Sequence, residues 1–157
     1  MGIIKDNLEG MEGLLIFNIG GKEFCTNILH LNAIIKINEA TFNEHNHFKD
    51  EVFYSGQFFR MIDIKEILNC PSKEFTNDSR IILFESSGKL FGFIADKIIE
   101  IVTLDSIFRK KHLRLIPSTE LRYICGRLAF MERSIFLLNM EILSNELNSL
   151  KKIGPWY

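Results

Sequence analysis

Apolar residues in this chain fall into short, nearly unbroken runs separated by glycine, asparagine and charged residues. The run from Leu14 to Ile19 stops at Gly20-Gly21, and Lys22 to Ile28 resumes it, which predicts a β-hairpin. Glu51 to Ile64 reads as strand, a turn at Gly56, and strand; Arg80 to Glu85 and Lys89 to Ala95 flank a turn at Ser86-Ser87-Gly88. Leu121 to Leu128 and Ser134 to Asn139 read as two strands around Met131-Glu132-Arg133. Alternation within these runs is weak, as expected for strands buried on both faces. Helical spacing is confined to three places. Leu29 to Ile37 suits one turn before a strand, Lys65 to Leu68 suits a short turn stopped by Pro71, and Met140 to Lys152 suits a closing amphipathic helix. Asn38 to Asp50 is polar and is expected to be an exposed loop.

The pattern repeats. Leu14 to Phe24 returns as Ile81 to Phe91, with Phe17, Gly21, Lys22 and Phe24 answered by Phe84, Gly88, Lys89 and Phe91. Leu31, Ile34 and Ile35 are answered by Ile98, Ile101 and Val102, and Met61-Ile62-Asp63-Ile64 by Leu137-Leu138-Asn139-Met140. Two similar β units packed together are therefore expected, with halves at about 14–75 and 80–147 of one domain spanning 14–147. Residues 1–13 form a flexible lead-in and 148–157 a tail in this reading. Many short strands with glycine turns and little helix suit small barrels, which remove sheet edges by closure. The groove between two such units is a natural place to hold a partner.

Composition adds a few bounds. The chain of 157 residues, 46% hydrophobic with 14 Phe, has enough material for one core rich in aromatic packing. A net charge of −1 offers no electrostatic footprint for nucleic acid or an anionic membrane. No apolar run nears the ~18 residues a membrane span needs, and the N-terminus carries no secretory or myristoylation pattern. A cytoplasmic protein without direct membrane insertion is expected. Cys25, Cys70 and Cys125, odd in number and far apart, read as free thiols.

Little catalytic chemistry is on offer. Asp63 and Asp96 could act as acid and base, but each sits at a strand end, where a carboxylate commonly holds turn amides. His45 and His47 share a polar loop without further ligands, and His30 and His112 are isolated. No P-loop, dinucleotide glycine pattern, Cys-x-x-Cys or nucleophile elbow is present. No catalytic residue, metal site or cofactor is assigned. The basic run Arg109 to Arg114 reads as a solvated face, and Phe53-Tyr54 with Phe58-Phe59 as barrel core or partner contact.

Four motifs follow one another along the chain, Phe17-x-x-Gly20-x-x-Glu23-Phe24-x-x-Asn27-Ile28, Leu31-x-x-Ile34, Gly56 to Ile64 and Gly92 to Ile101, and their order resembles the CheW family of bacterial chemotaxis adaptors. Phe17-x-x-Gly20-x-x-Glu23-Phe24-x-x-Asn27-Ile28 resembles the family's opening hairpin, and Leu31-x-x-Ile34 its Val-x-Glu-Ile element. Gly56-Gln57-Phe58-Phe59-Arg60-Met61-Ile62-Asp63-Ile64 resembles the strand ending in Val-Ile-Asp-Leu; Gly92 to Ile101 resembles Gly-Leu-x-Val-Asp-x-Val-x-Glu-Val. The resemblance implies an all-β fold of two five-stranded SH3-like barrels packed together, with the amphipathic helix closing the chain. It implies a non-enzymatic scaffold that joins the cytoplasmic tip of a chemoreceptor to the regulatory domain of the chemotaxis histidine kinase, associated with receptor arrays through these partners. Leu31, Ile34, Phe53, Ser55 and Gly56 are the residues it assigns to an inter-lobe receptor groove. Ser55 stands where the family has an arginine, Ala33 where it has an acidic residue, and Arg60 where it has a proline. Losing a forked, charge-assisted donor implies altered or weakened receptor contact, with Phe53 and Tyr54 as apolar compensation. Two other readings stand beside it: a structural filler that binds only the kinase, and a small ligand-binding or enzymatic β-barrel.

Overall fold

The computed structural model describes residues 13–42, 51–71, 74–103, 114–117, 122–130 and 132–145. Among these residues twelve strands form two six-stranded sheets. The strands are β1 (Gly13–Ile19), β2 (Lys22–Asn27), β3 (Leu31–Lys36), β4 (Thr41–Phe42), β5 (Glu51–Tyr54) and β6 (Gln57–Met61) in the first half. The second half supplies β7 (Arg80–Ser86), β8 (Lys89–Ala95), β9 (Lys97–Thr103), β10 (Arg114–Pro117), β11 (Ile124–Phe130) and β12 (Arg133–Leu138). Sheet one runs β10-β11-β12-β2-β1-β9 and sheet two, read in matching sense, β4-β5-β6-β8-β7-β3. The expected class, two SH3-like β subdomains packed together, is what the chain forms; each sheet counts a sixth, short strand, β10 or β4.

The sequence repeat is not the unit of the sheets. The β1–β2 hairpin of the first half lies among the strands of the second half, and the β7–β8 hairpin lies among those of the first. Each lobe is thus composite, and the register is preserved across the exchange. Phe17 faces Phe24 across β1–β2 as Phe84 faces Phe91 across β7–β8. Leu31 pairs with Phe84 as Ile98 pairs with Phe17. The parallel contacts Phe136–Phe24 and Arg60–Phe91 also correspond.

This exchange explains the unbroken apolar runs. Leu14 and Ile16 of β1 enter the core of lobe one with Cys25, Leu128, Ile135 and Leu137. The alternate residues Leu15, Phe17 and Ile19 enter a core shared by both lobes. On β7, Ile81 and Leu83 enter the core of lobe two, and Ile82 and Phe84 the shared core. Phe17, Phe84, Phe91 and Phe93 are each fully buried there, and burying one such ring is worth roughly 2–3 kcal/mol. Gly92 is required by close approach, because a Cβ on it would meet the Ile82 carbonyl oxygen at 2.7 Å.

The closing elements correspond as well. Asp63 caps α1 (Ile64–Ile67), its Oδ1 accepting the Glu66 amide at 3.4 Å. Asn139 caps α2 (140–145), its Oδ1 accepting the Ile142 amide at 3.1 Å. Leu143 of α2 is buried in the shared core. Most of the polar segment 38–50, residues 109–113 of the basic run, and His45, His47 and His112 lie outside the described residues; the remaining part of the polar segment forms a 3₁₀ turn, Ile37–Glu39, and β4. Among the described residues no helix is long and apolar enough to cross a membrane.

Candidate functional site

The five residues assigned to partner binding fall into two groups. Leu31 and Ile34 lie on β3, half-buried and packed against the margin of the shared core. Among the described strands β3 is at the edge of its sheet, bonded to β7 alone. Asn27 shapes the entry to it: its side chain accepts the Leu29 amide at 3.0 Å and starts the 3₁₀ turn Ile28–His30 that ends at Leu31. Leu29, in that turn, is 56% exposed.

Phe53, Ser55 and Gly56 belong to the β5–β6 hairpin, which β7 and β8 separate from β3 in sheet order. Ser55 and Gly56 both have positive φ, 51° and 78°, as a two-residue type I′ hairpin turn demands. A turn of this kind matches the twist of the flanking strands, and it fixes the register that sets Phe53 opposite Phe58. Their rings lie 4.8 Å apart, with Phe53 38% and Phe58 56% exposed. Strand alternation sends Val52 and Phe59 inward, both fully buried. Of the Phe58-Phe59 pair, one ring is therefore core and the other surface, a division that composition alone did not resolve. The hairpin residues are outside the shared core that Leu31 and Ile34 touch.

The corresponding hairpin of lobe one gives a measure of what the fold itself needs. In β11–β12, Phe130 pairs with Arg133 as Tyr54 does with Gln57, and Leu128 and Ile135 are directed inward in place of Val52 and Phe59. At the outward pair it carries Ala129 opposite Ser134, where β5–β6 has Phe53 opposite Phe58. The topology is satisfied by small residues at this place. Two exposed aromatic rings add apolar surface that the hairpin does not require, which is the property of a contact patch.

Polar groups at the junction of the lobes do structural work. Asp96, between β8 and β9, accepts the Gly20 amide at 2.8 Å, and its own amide donates to the Asn18 carbonyl at 2.9 Å. Lys65 of α1, nearly buried, brings Nζ within 2.7 Å of Asp96 Oδ1. At that separation charge attraction dominates whatever the alignment of the ammonium hydrogens. Asp63 caps a helix and Asp96 ties a turn and a lysine, so each carboxylate has the turn-holding role its strand-end position suggested. In lobe one, Arg133 of β12 reaches Glu23 of β2 at 2.6 Å and Glu100 of β9 at 3.3 Å, crossing from one side of the curled sheet to its edge. These carboxylates raise the Arg133 pKa, the hydrogen bond to Glu23 most of all. Burial pushes the Cys25 thiol far up, out of the range in which it ionises.

A feature that sequence reasoning missed is a cavity of about 230 Å³ between α1 and the β2–β12 face. Its walls are mostly apolar, with Lys22 and Arg122 at the rim. The repeat gives no signal for it, because Lys22 and Lys89 are equivalent there.

Comparison with known proteins places this arrangement. The CheW-like domain family matches residues 13–147. A probable chemotaxis protein CheW of Rhizobium etli is 26% identical over 148 residues, covering 93% of this chain and 96% of the relative. The crystal structure of the scaffolding protein TtCheW from Thermoanaerobacter tengcongensis superposes with a TM-score of 0.65 at 17% identity, over 82% of this chain and 89% of that one.

Proposed function

The chain belongs to the CheW-like domain family, and from that premise we propose that it is a non-catalytic scaffold of chemotaxis signalling. It joins a chemoreceptor's cytoplasmic tip to the regulatory domain of the chemotaxis histidine kinase, and sits at receptor arrays through these partners. Coupling of this kind requires only different affinities for two arrangements of the assembly, with no bond made or broken in the scaffold.

Receptor contact is proposed at Leu31 and Ile34 on β3 and at Phe53, Ser55 and Gly56 on the β5–β6 hairpin. Phe58 joins them, since its ring packs at a tilt against Phe53 and is the more exposed of the two. The observation that carries the reading is the exposed aromatic pair at a register position where the matching hairpin has Ala129 and Ser134. Ser55 supplies no forked cation, so the proposed contact leans on apolar area rather than on charge. A helical hairpin offering aliphatic side chains fits such a surface.

The test is a titration of the purified protein with a receptor-tip helical hairpin and, separately, with the kinase regulatory domain. Binding to both, weakened at the hairpin by Leu31→Asp and by Phe53→Ser with Phe58→Ser, is the expected result. Binding to the kinase domain alone would favour the structural-filler reading. Binding to neither, with both partners folded and from the same organism, would overturn the adaptor reading.

A further inference from the structure

We propose that the cavity between α1 and the β2–β12 face is a binding site for a small amphiphilic carboxylate, an aliphatic or aryl acid, with its carboxylate at the Lys22–Arg122 rim. The floor is the Phe24–Phe136 ring pair, centroids 5.6 Å apart, with Ile67 and Ile124 as walls. At about 230 Å³ the cavity falls below the roughly 300–1,000 Å³ of drug-sized ligand pockets. An aliphatic tail or one aromatic ring fills it, and a large cofactor does not.

The rim selects the sign of the ligand. Lys22 and Arg122 are both exposed cations, and the Arg122 guanidinium lies 5.7 Å from the Tyr123 ring centroid, held over the edge of the cavity. No carboxylate is among the described lining residues. A carboxylate placed here meets the Lys22 ammonium while its tail leaves water, so both parts of an amphiphilic acid gain from one pose.

The internal repeat supplies an independent observation. Lys89 corresponds to Lys22, and Asn145 corresponds to Asn69, each asparagine lying six residues beyond the capping residue of its helix. In the second pair the partners have closed on each other, Lys89 Nζ donating to Asn145 Oδ1 at 3.3 Å. In the first pair the Lys22 side chain has no hydrogen bond or ion pair among the described residues, and Lys22 and Asn69 both line the cavity instead. Phe136, moreover, stands where the corresponding strand has Arg60. Among the described residues one junction is closed by polar contact, and the other is open, apolar inside and cationic at the edge.

The experiment is calorimetric titration of the full chain with octanoate below its micellar concentration, alongside octanol and octylammonium. Amide chemical shifts of ¹⁵N-labelled protein locate the site. Saturable one-to-one binding of octanoate is expected, with shifts at Ile67, Tyr123 and Ile124, weakening as salt is added. The exposed double substitution Lys22→Glu with Arg122→Glu should weaken it about tenfold or more, and Lys22→Gln with Arg122→Gln by less. Octylammonium should not bind. Absence of saturation, equal binding of octanol, shifts confined to the Phe53–Phe58 patch, or indifference to both double substitutions would each overturn the proposal.

Discussion

The two lobes share one topology and close their barrels with different chemistry. In lobe one Arg133, Glu23 and Glu100 link β12, β2 and the edge strand β9 by charge. The corresponding positions in lobe two are Gln57, Leu90 and Ala33, and Leu90 and Ala33 pack against that lobe's apolar core. The surfaces differ in the opposite sense. Lobe one presents Ala129 and Ser134 on its outer hairpin, with Arg127 donating to Ser134 at 2.9 Å. Lobe two presents the Phe53–Phe58 pair. The junction is unequal too, since only one side has the Lys65–Asp96 latch, and Glu141 and Leu29 stand exposed at the matching places. Strand pairing and inward volume are what both lobes must satisfy. Charge and exposed aromatic area were free to diverge, so the divergent positions are where function is to be sought.

The strongest test of the likeness is in the shared core. Phe17→Ala and Phe84→Ala each remove a fully buried ring from matching places, and each should cost about 3–5 kcal/mol in urea unfolding. Losses that differ by more than about 1 kcal/mol would break the correspondence between the lobes, because comparable cavities carry comparable costs. The latch comes next. Asp96→Ala strands the Lys65 ammonium and the Gly20 amide, and should cost about 3 kcal/mol, toward the low end because the Asp96 side chain keeps 26% exposure. Glu141→Ala, at the position matching Lys65, should leave the midpoint unchanged.

Arg133→Ala should destabilise by roughly 1 kcal/mol, a modest figure because all three partners retain access to water. Gln57→Ala at the matching place should have no measurable effect. A smaller thermodynamic effect sharpens the functional contrast. Phe53→Ser with Phe58→Ser should lower stability by no more than about 1 kcal/mol, while weakening receptor-hairpin binding by tenfold or more. Finally, thiol labelling of the native protein should order Cys125 first, Cys70 next and Cys25 last, following exposed, half-buried and buried positions. Labelling of Cys25 should await unfolding, since burial holds its thiol protonated.

Much of this was legible in the chain. Gly20-Gly21, Ser55-Gly56 and Ser87-Gly88 mark hairpins because a two-residue turn needs positive φ, and each of the six residues has it. The Phe17/Phe84 and Phe24/Phe91 repeats mark the shared core, and Asp63 and Asn139 mark helix starts through a short side chain that reaches an amide three residues on. The candidate site was legible only in part. Leu31 and Ile34 carry apolar periodicity, but periodicity cannot separate a shared core from an open groove. Phe53 and Phe58 could be told from Tyr54 and Phe59 only once the turn had set which residues face inward.

The sequence by itself determined that there would be two like β units and where their hairpins turn, because these follow from local φ preferences and a two-residue side-chain period. Tertiary structure alone decided that the halves exchange hairpins, since a run buried on both faces does not say which sheet covers which face. It also decided that one Lys–Asn junction closes while its counterpart opens into a cavity, a matter of a few ångströms between segments far apart along the chain.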